Sequence, residues 1–281
     1  MANESTYTGI STLIANVYET ALMAAQEGNI IAPHVTIFND SQSSAPRIFG
    51  SYSGGTFAAI DESTNMSTQS FNATAGGTLT PAVYGSMTII TQRRIKSDPS
   101  NAQREAGIYL GEKASSHIDT NLASLFSSFT AGTAGSTTGG TITWANIFHA
   151  QALLRSKHVF GPYVCVLHPM QWYYLVSASS GVPTLMQSEA IKNSTVGRAY
   201  QASFSGIDFF VDANITSGTA AVGGLFSRPA IALDIRQPFT INPQWDASYS
   251  GNGAWELNAS MEYAYGVYRP DFGAQIVGTS S

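Results

Sequence analysis

Apolar residues recur at three- and four-residue spacing over residues 10–27, at Ile10, Leu13, Ile14, Val17, Tyr18, Ala21, Leu22 and Ala25, and the pattern stops at Gly28 and Asn29. This spacing predicts an amphipathic helix near the N-terminus, ended by residues that favour a stop. Residues 30–38 read as extended, and NDSQSSAP after them is a turn-rich break. Two extended-type runs follow, RIFGSYSGGTFAAI and STQSFNATAGGTLTPAVYGSMTII, on either side of the turn-forming cluster DESTN. They predict a long, imperfect β-hairpin with its tip near residues 61–65.

The hairpin is too long for a connector. A strand of about 14 residues reaches on the order of 45 Å, whereas a compact chain of this size has a radius of gyration of about 19 Å. Such an arm overhangs its own body. The competing expectation is that Gly54-Gly55, Gly76-Gly77 and Pro81 break it into shorter strands folded back on the core.

A second helical stripe, Ala102, Ala106, Tyr109, Leu110, Ala114, Ile118, Leu122, Leu125, Phe126 and Phe129, follows Asp98 as N-cap and Pro99 at the first helical position. At about 1.5 Å per residue this helix is roughly 45 Å long. Gly107 and Gly111 each cost about 1 kcal/mol inside a helix relative to Ala, so their four-residue spacing points to another backbone crossing that face, or to a kink. TAGTAGSTTGGT then reads as a flexible loop. Thr143 caps a helix over WANIFHAQALLRSK, YVCVL is a buried strand, and His168-Pro169 starts a helix through QWYYLVSAS. A loop spans residues 179–197. GIDFFVD, VGGLF and AIALDIR are short strands, WELNASMEYAYGVYRP alternates with Leu257, Ala259, Met261, Tyr263, Tyr265 and Val267 on one face, and FGAQIVG closes the chain. Helices and strands mix without a βαβ rhythm, so the fold class is α+β.

Charge changes the picture more than motifs do. Only 11% of the 281 residues are charged, against roughly 25% in an average soluble domain. A surface so poor in repulsion suits a protein covered by copies of itself, or a neutral extracellular β-protein. The net charge of −5 argues against dedicated nucleic-acid binding. The single cysteine, Cys165, allows no internal disulfide and sits in an apolar run as a buried thiol. No basic, apolar leader is visible at the N-terminus, and no window of about 18 apolar residues predicts a membrane span.

Chemistry is scarce. GxxxxGK[ST], GxGxxG, HExxH and GxSxG do not occur, and His34, His117, His149, His158 and His168 are scattered without ligand spacing. No catalytic residue, cofactor or metal is expected. Asp61 and Glu62 are adjacent on the hairpin and read as a solvated tip or as partners for a neighbour. Arg93 and Arg94, at the junction of hairpin and long helix, and Arg269, before Pro270 and Asp271, read as surface charge or as forks for carboxylates of adjacent subunits.

The order of these elements, with VLHPMQWYYL, GIDFFV, GLFSRPAIALDIRQPF and YGVYRP at matching relative positions, resembles the major capsid proteins of tailed bacteriophages across nearly the whole chain. The resemblance implies an N-terminal arm (1–45), an extended hairpin loop (46–92), a peripheral domain with a spine helix (93–160), an axial domain (161–254) and return strands of the peripheral domain (255–281). It implies a shell subunit that assembles into pentamers and hexamers, located in the virion and assembled in the host bacterial cytoplasm. Implied partners are a portal, decoration proteins and non-specifically contacted DNA, with no membrane. Encapsulin-type compartments share the fold and are the alternative.

Some members of the family crosslink through a lysine on the extended loop. The lysines here are Lys96, Lys113, Lys157 and Lys192, none in the hairpin, so assembly is expected to be non-covalent. The first predicted element begins close to Met1, which leaves little room for an N-terminal scaffolding segment and implies a separate scaffolding protein or a mature form. Interface candidates are Tyr52, Phe57, Ile60, Asp61, Glu62 and Phe71 on the hairpin, with Arg93, Arg94, Arg269 and Asp271.

Overall fold

Twelve strands and four helices are numbered along the chain in a computed structural model that describes residues 18–24, 28–40, 45–53, 72–97, 99–177, 199–249 and 253–280. The first half holds β1 (Thr36–Asn39), β2 (Arg47–Ser53), β3 (Asn72–Leu79), β4 (Ala82–Thr91), α1 (Gln92–Ser97), α2 (Pro99–Ser124), β5 (Thr133–Gly135) and α3 (Trp144–Ser156). The second holds β6 (Tyr163–Leu167), α4 (Pro169–Ser177), β7 (Tyr200–Phe204), β8 (Ile207–Val211), β9 (Ala221–Phe226), β10 (Ile231–Asp246), β11 (Ala254–Val267) and β12 (Gly273–Gly278). Residues 18–24 are also helical.

The strands form a four-stranded sheet ordered β1-β10-β11-β4, a six-stranded sheet ordered β5-β12-β9-β6-β8-β7, and the β2-β3 pair. Both larger sheets mix parallel and antiparallel neighbours, which fits the α+β class. Sheet membership cuts across the segments expected from sequence. β10 joins the first sheet although it lies in 161–254, and β12 joins the second although it lies in 255–281.

Local sequence accounts for most elements. β6 is buried at every position, as a continuous apolar run in a central strand should be. Alternate residues of β11, Leu257, Ala259, Met261 and Tyr263, are buried on one face. At the start of α3, Asn146 Oδ1 accepts the Thr143 N–H at 3.0 Å and also the Thr143 hydroxyl, closing the predicted cap. The Gln of the His-Pro-helix motif ties three elements together. Buried Gln171 accepts the His168 N–H at 3.1 Å and donates to Ala221 O and Gly278 O at 2.9 and 3.1 Å, locking α4 onto β9 and β12.

The helical segment 18–24 crosses α2 where the sequence lacks side chains. A Cβ on Gly111 would stand 2.2 Å from Ala21 O, so a close backbone crossing, and not a kink, accounts for this glycine. Burial of Ala21, Ala106, Leu110, Ile90 and Leu257 then seals this segment and α2 onto the four-stranded sheet. Cys165 is a buried thiol whose pKa is driven up by desolvation.

Elsewhere the structure departs from the sequence reading. Residues 30–38 are a 3-10 turn, Ala32–His34, before β1 begins, because Pro33 suits the start of a helical turn. The Gly/Thr loop 130–141 contains β5, which pairs in parallel with β12. QRRIKS forms the short helix α1, and β10 runs on to Asp246 instead of ending near Arg236. The hairpin's second run divides at Thr80-Pro81, with β3 pairing β2 and β4 joining the four-stranded sheet. Gly77 does not break β3. It lets the strand pass over β11, where an added Cβ would lie 2.8 Å from Val267 O.

Candidate functional site

The β2-β3 hairpin forms a sheet of its own, and the way it is rooted defines the site. The hairpin root is an ion-pair cluster on β10. Asp234, fully buried, accepts Arg47 Nε and an Arg236 guanidinium nitrogen, each at 2.9 Å, and Arg236 also reaches the Asp40 carboxylate at 3.2 Å. Arg236 has a side chain only 3% exposed and further donates to the backbone carbonyls of Asp40 and Ala45 at 3.3 and 3.2 Å. Two arginines thus meet one oxygen of a buried carboxylate, Oδ2, while Oδ1 has no hydrogen-bond partner among the described residues, and they tie down both ends of the link between β1 and β2.

Aromatic packing reinforces the same root. Phe49 lies 4.4 Å from Tyr268 and 5.6 Å from Phe38, centroid to centroid, and the Arg47 guanidinium sits 4.7 Å above Phe38. Leu79, at the end of β3, is buried among Ala232 and Ala264, and a Cβ on Gly266 would come within 2.6 Å of its side chain. The YGVYRP motif therefore has a local purpose. Its glycine admits Leu79, its second tyrosine stacks on Phe49, and the Tyr268 and Arg269 N–H groups both donate to Ala230 O.

Beyond this root the hairpin pairs Arg47 with Leu79 and continues to Ser53 opposite Asn72. Tyr52 belongs to β2, opposite Ala73. Phe57, Ile60, Asp61, Glu62 and Phe71 lie outside the described residues. Between Arg47 and Arg93 the chain carries only two charges, Asp61 and Glu62.

A groove of about 290 Å³ runs between α2 and β4. Tyr109, Lys113 and His117 form its helical wall, Tyr84, Gly85 and Ser86 its strand wall, and Leu110, Phe239 and Met261 contribute apolar lining. His117 packs edge-on against Tyr84 at 4.7 Å, and Asn121 donates to Tyr263 Oη at 2.7 Å. Burial raises the pKa of both tyrosines, so they remain neutral phenols. Beside the groove, β4 is an edge of its sheet among the described residues and exposes Val83 and Met87 at 68% and 55%. β10 has a contrasting edge beyond β1, interrupted by Pro238 and Pro243, which cannot donate to an added strand.

The remaining candidates separate. Arg94 is already paired within its own chain, 2.7 Å from Glu105, with both side chains 63% exposed, while Arg93 is exposed on α1. Arg269 is exposed and lies over the rings of Tyr268 and Phe272 at 6.0 and 5.1 Å, and Asp271 is exposed in the 3-10 turn that follows. Among the described residues these four do not form one cluster with the hairpin. The residues that sequence reading missed are Arg236, Asp234 and Asp119, whose partners are remote in sequence. No group of three potential metal ligands occurs among the described residues, and no described helix is long and apolar enough to cross a membrane.

The phage capsid protein family matches residues 72–276. The chain belongs to this family. Solved phage capsid proteins share the fold at low identity. The capsid of Ralstonia phage GP4 is 11% identical with a TM-score of 0.68, covering 91% of this chain and 92% of that one. The capsid of cyanophage P-SCSP1u is 14% identical with a TM-score of 0.63, covering 91% and 89%. A virus-like particle from Pyrococcus furiosus is 10% identical with a TM-score of 0.59, covering 93% and 98%. No curated protein matches the chain.

Proposed function

We propose that this capsid-family chain is a major capsid protein, many copies of which close into the icosahedral head shell around the double-stranded DNA of a tailed phage. The observation that carries this reading, beyond family membership, is the hairpin whose root is fixed by Arg47, Arg236 and Asp234 and whose described strands pair with each other and with neither larger sheet. A segment so firmly rooted and so poor in charge is built to lie on another subunit at little desolvation cost. The groove between α2 and β4, with the open β4 edge, offers main-chain and apolar contacts for it.

In this reading residues 93–160, with the return strands of 255–281, are the peripheral domain and residues 161–254 the axial one. Residues 1–45 are an N-terminal arm and 46–92 the extended loop. The role is structural and needs no cofactor. Assembly is non-covalent and proceeds in the host cytoplasm, with a separate scaffolding protein, a portal and possible decoration subunits as further partners. DNA meets the inner surface without sequence preference.

Sedimentation and electron microscopy of the purified chain, with scaffolding protein where required, test the proposal. Closed particles are expected, and deletion of residues 54–74 should leave a folded subunit that forms none. A persistent monomer under all assembly conditions, or normal particles from the deletion, overturns it. A compartment that encloses a cargo enzyme is the second reading, favoured by the likeness to the Pyrococcus furiosus particle. Particles that contain protein cargo and no nucleic acid would establish it.

A further inference from the structure

The N-terminal segment follows α2 and leads toward an uncovered aromatic end of the four-stranded sheet. Its root is Asp119, fully buried on α2, which accepts the Ile31 N–H at 3.2 Å and the Ile30 N–H at 2.6 Å. Further back along the chain, a Cβ on Gly28 would stand 2.3 Å from Ser115 Oγ, and Ala21 crosses Gly111. Tyr18 then donates its hydroxyl to Phe239 O at 3.2 Å and packs against the cluster of Ile90, Leu110, Ile241 and Leu257. From residue 31 back to residue 18 the chain therefore runs toward the N-terminal end of α2 and the far end of β10.

That end of the sheet carries a pair of indoles. Alternation and register put Ile241, Pro243 and Trp245 of β10 on the face that also carries Leu257, Trp255 and Ile90. On this face Ile90 and Leu257 are only 5% exposed, whereas Trp245 is 45% exposed. Its ring is nevertheless fixed: it lies 5.2 Å from that of Trp255, edge-on, and a Cβ on Gly253 would stand 2.2 Å from it. An apolar row that α2 and Tyr18 cover at one end is thus open at the other.

The residues ahead of Tyr18, outside the described ones, have the pattern to complete it. Ile10, Leu13, Ile14 and Val17 recur at three- and four-residue spacing in phase with Tyr18 and with Ala21, which is fully buried. Residues 5–17 carry no charge, so burying this face desolvates no ion. Eight residues of helix rise ~12 Å, and the six steps along β10 from Phe239 to Trp245 span ~20 Å. The side chains of Ile10 and Trp245 bridge the remainder. We infer that residues 10–17 dock as a helix on the Trp245–Trp255 end of their own subunit's sheet, extending the apolar cluster that Tyr18 begins. The seat is on the same subunit because Tyr18, already held on Phe239, leaves no free span of chain in which to cross to another copy. The inference concerns the single subunit, so it stands or falls independently of shell formation.

Fluorine NMR of the free, full-length subunit labelled with fluorotryptophan tests it. The Trp245 resonance, assigned with Trp245→Phe, reports contact with water through its displacement between light and heavy water. That displacement should be small in the full chain and should grow in a chain lacking residues 1–16, and equally in Ile10→Asp/Ile14→Asp, which sets carboxylates against the indoles. Thr12→Asp/Asn16→Asp, on the opposite side of the same helix, should leave it unchanged, and the protection should not depend on protein concentration. A Trp245 signal indifferent to both the deletion and Ile10→Asp/Ile14→Asp overturns the inference, as does protection that disappears on dilution, which a seat on a second copy requires. Should the shortened chain fail to fold, the two paired substitutions decide, and an equal response to both counts against it.

Discussion

The two roots, one of the hairpin and one of the N-terminal segment, each centre on a buried carboxylate. Asp234 meets two guanidinium groups, whereas Asp119 meets only backbone N–H groups and a second acid nearby. Paired charge compensates the desolvation of a buried ion, and amide dipoles alone do so less completely. The difference separates a root held by paired charge from one held by backbone hydrogen bonds.

Removing a partner from the charge-paired root should have the largest effect. Arg236→Met leaves Asp234 with Arg47 alone and frees the carbonyls of Asp40 and Ala45, at a cost of about 3–5 kcal/mol in denaturant unfolding. An unchanged unfolding midpoint would show that the cluster is ornamental and would erase the comparison. Gly111→Val should cost about 1–3 kcal/mol by forcing residues 18–24 off α2, where Ala21 O approaches within 2.2 Å of the added carbon. That loss should appear as proteolytic sensitivity of the N-terminal segment, with the hairpin root unaffected.

Phe49→Ala, which deletes the stack on Tyr268 and Phe38, should cost about 1–2 kcal/mol and loosen the hairpin root but not residues 29–32. Equal loosening at both roots would merge what the comparison separates. The smallest effect belongs to Arg94→Ala. Its exposed pair with Glu105 should contribute at most ~1 kcal/mol, and any assembly defect beyond that would assign Arg94 to a subunit contact.

Much of this architecture was legible in the sequence. The Thr143 cap, the His-Pro start of α4 and the alternation of β11 are local signals that formed where they were read, whereas the apolar stripe of α2 runs on past the helix end at Ser124 into the 3-10 turn Leu125–Ser128. Gly107 and Gly111 carried a readable sign of close crossing because glycine in a helix interior has a cost that needs a reason. β5 carried none. Its residues, Thr133 to Gly135, have no strand pattern, and they are extended because β12 offers them a parallel partner. The same holds for the two roots. Arg236 read as the end of a short strand, and Asp119 as one polar residue on a long helix. The N–H groups that donate to Asp119, of Ile30 and Ile31, lie 89 and 88 positions away. Pairings made by tertiary structure leave no period in the chain. The interface candidates on the hairpin tip depend on a second copy and are still further from view.

The measurement that bears most directly on the account is a cryo-electron microscopy map of the assembled particle in which the hairpin can be traced. The account predicts that residues 47–79 leave one subunit at the Arg47–Asp234 anchor and lie on a neighbour, against the groove between its α2 and β4. A hairpin folded back on its own four-stranded sheet, in closed particles, would contradict it.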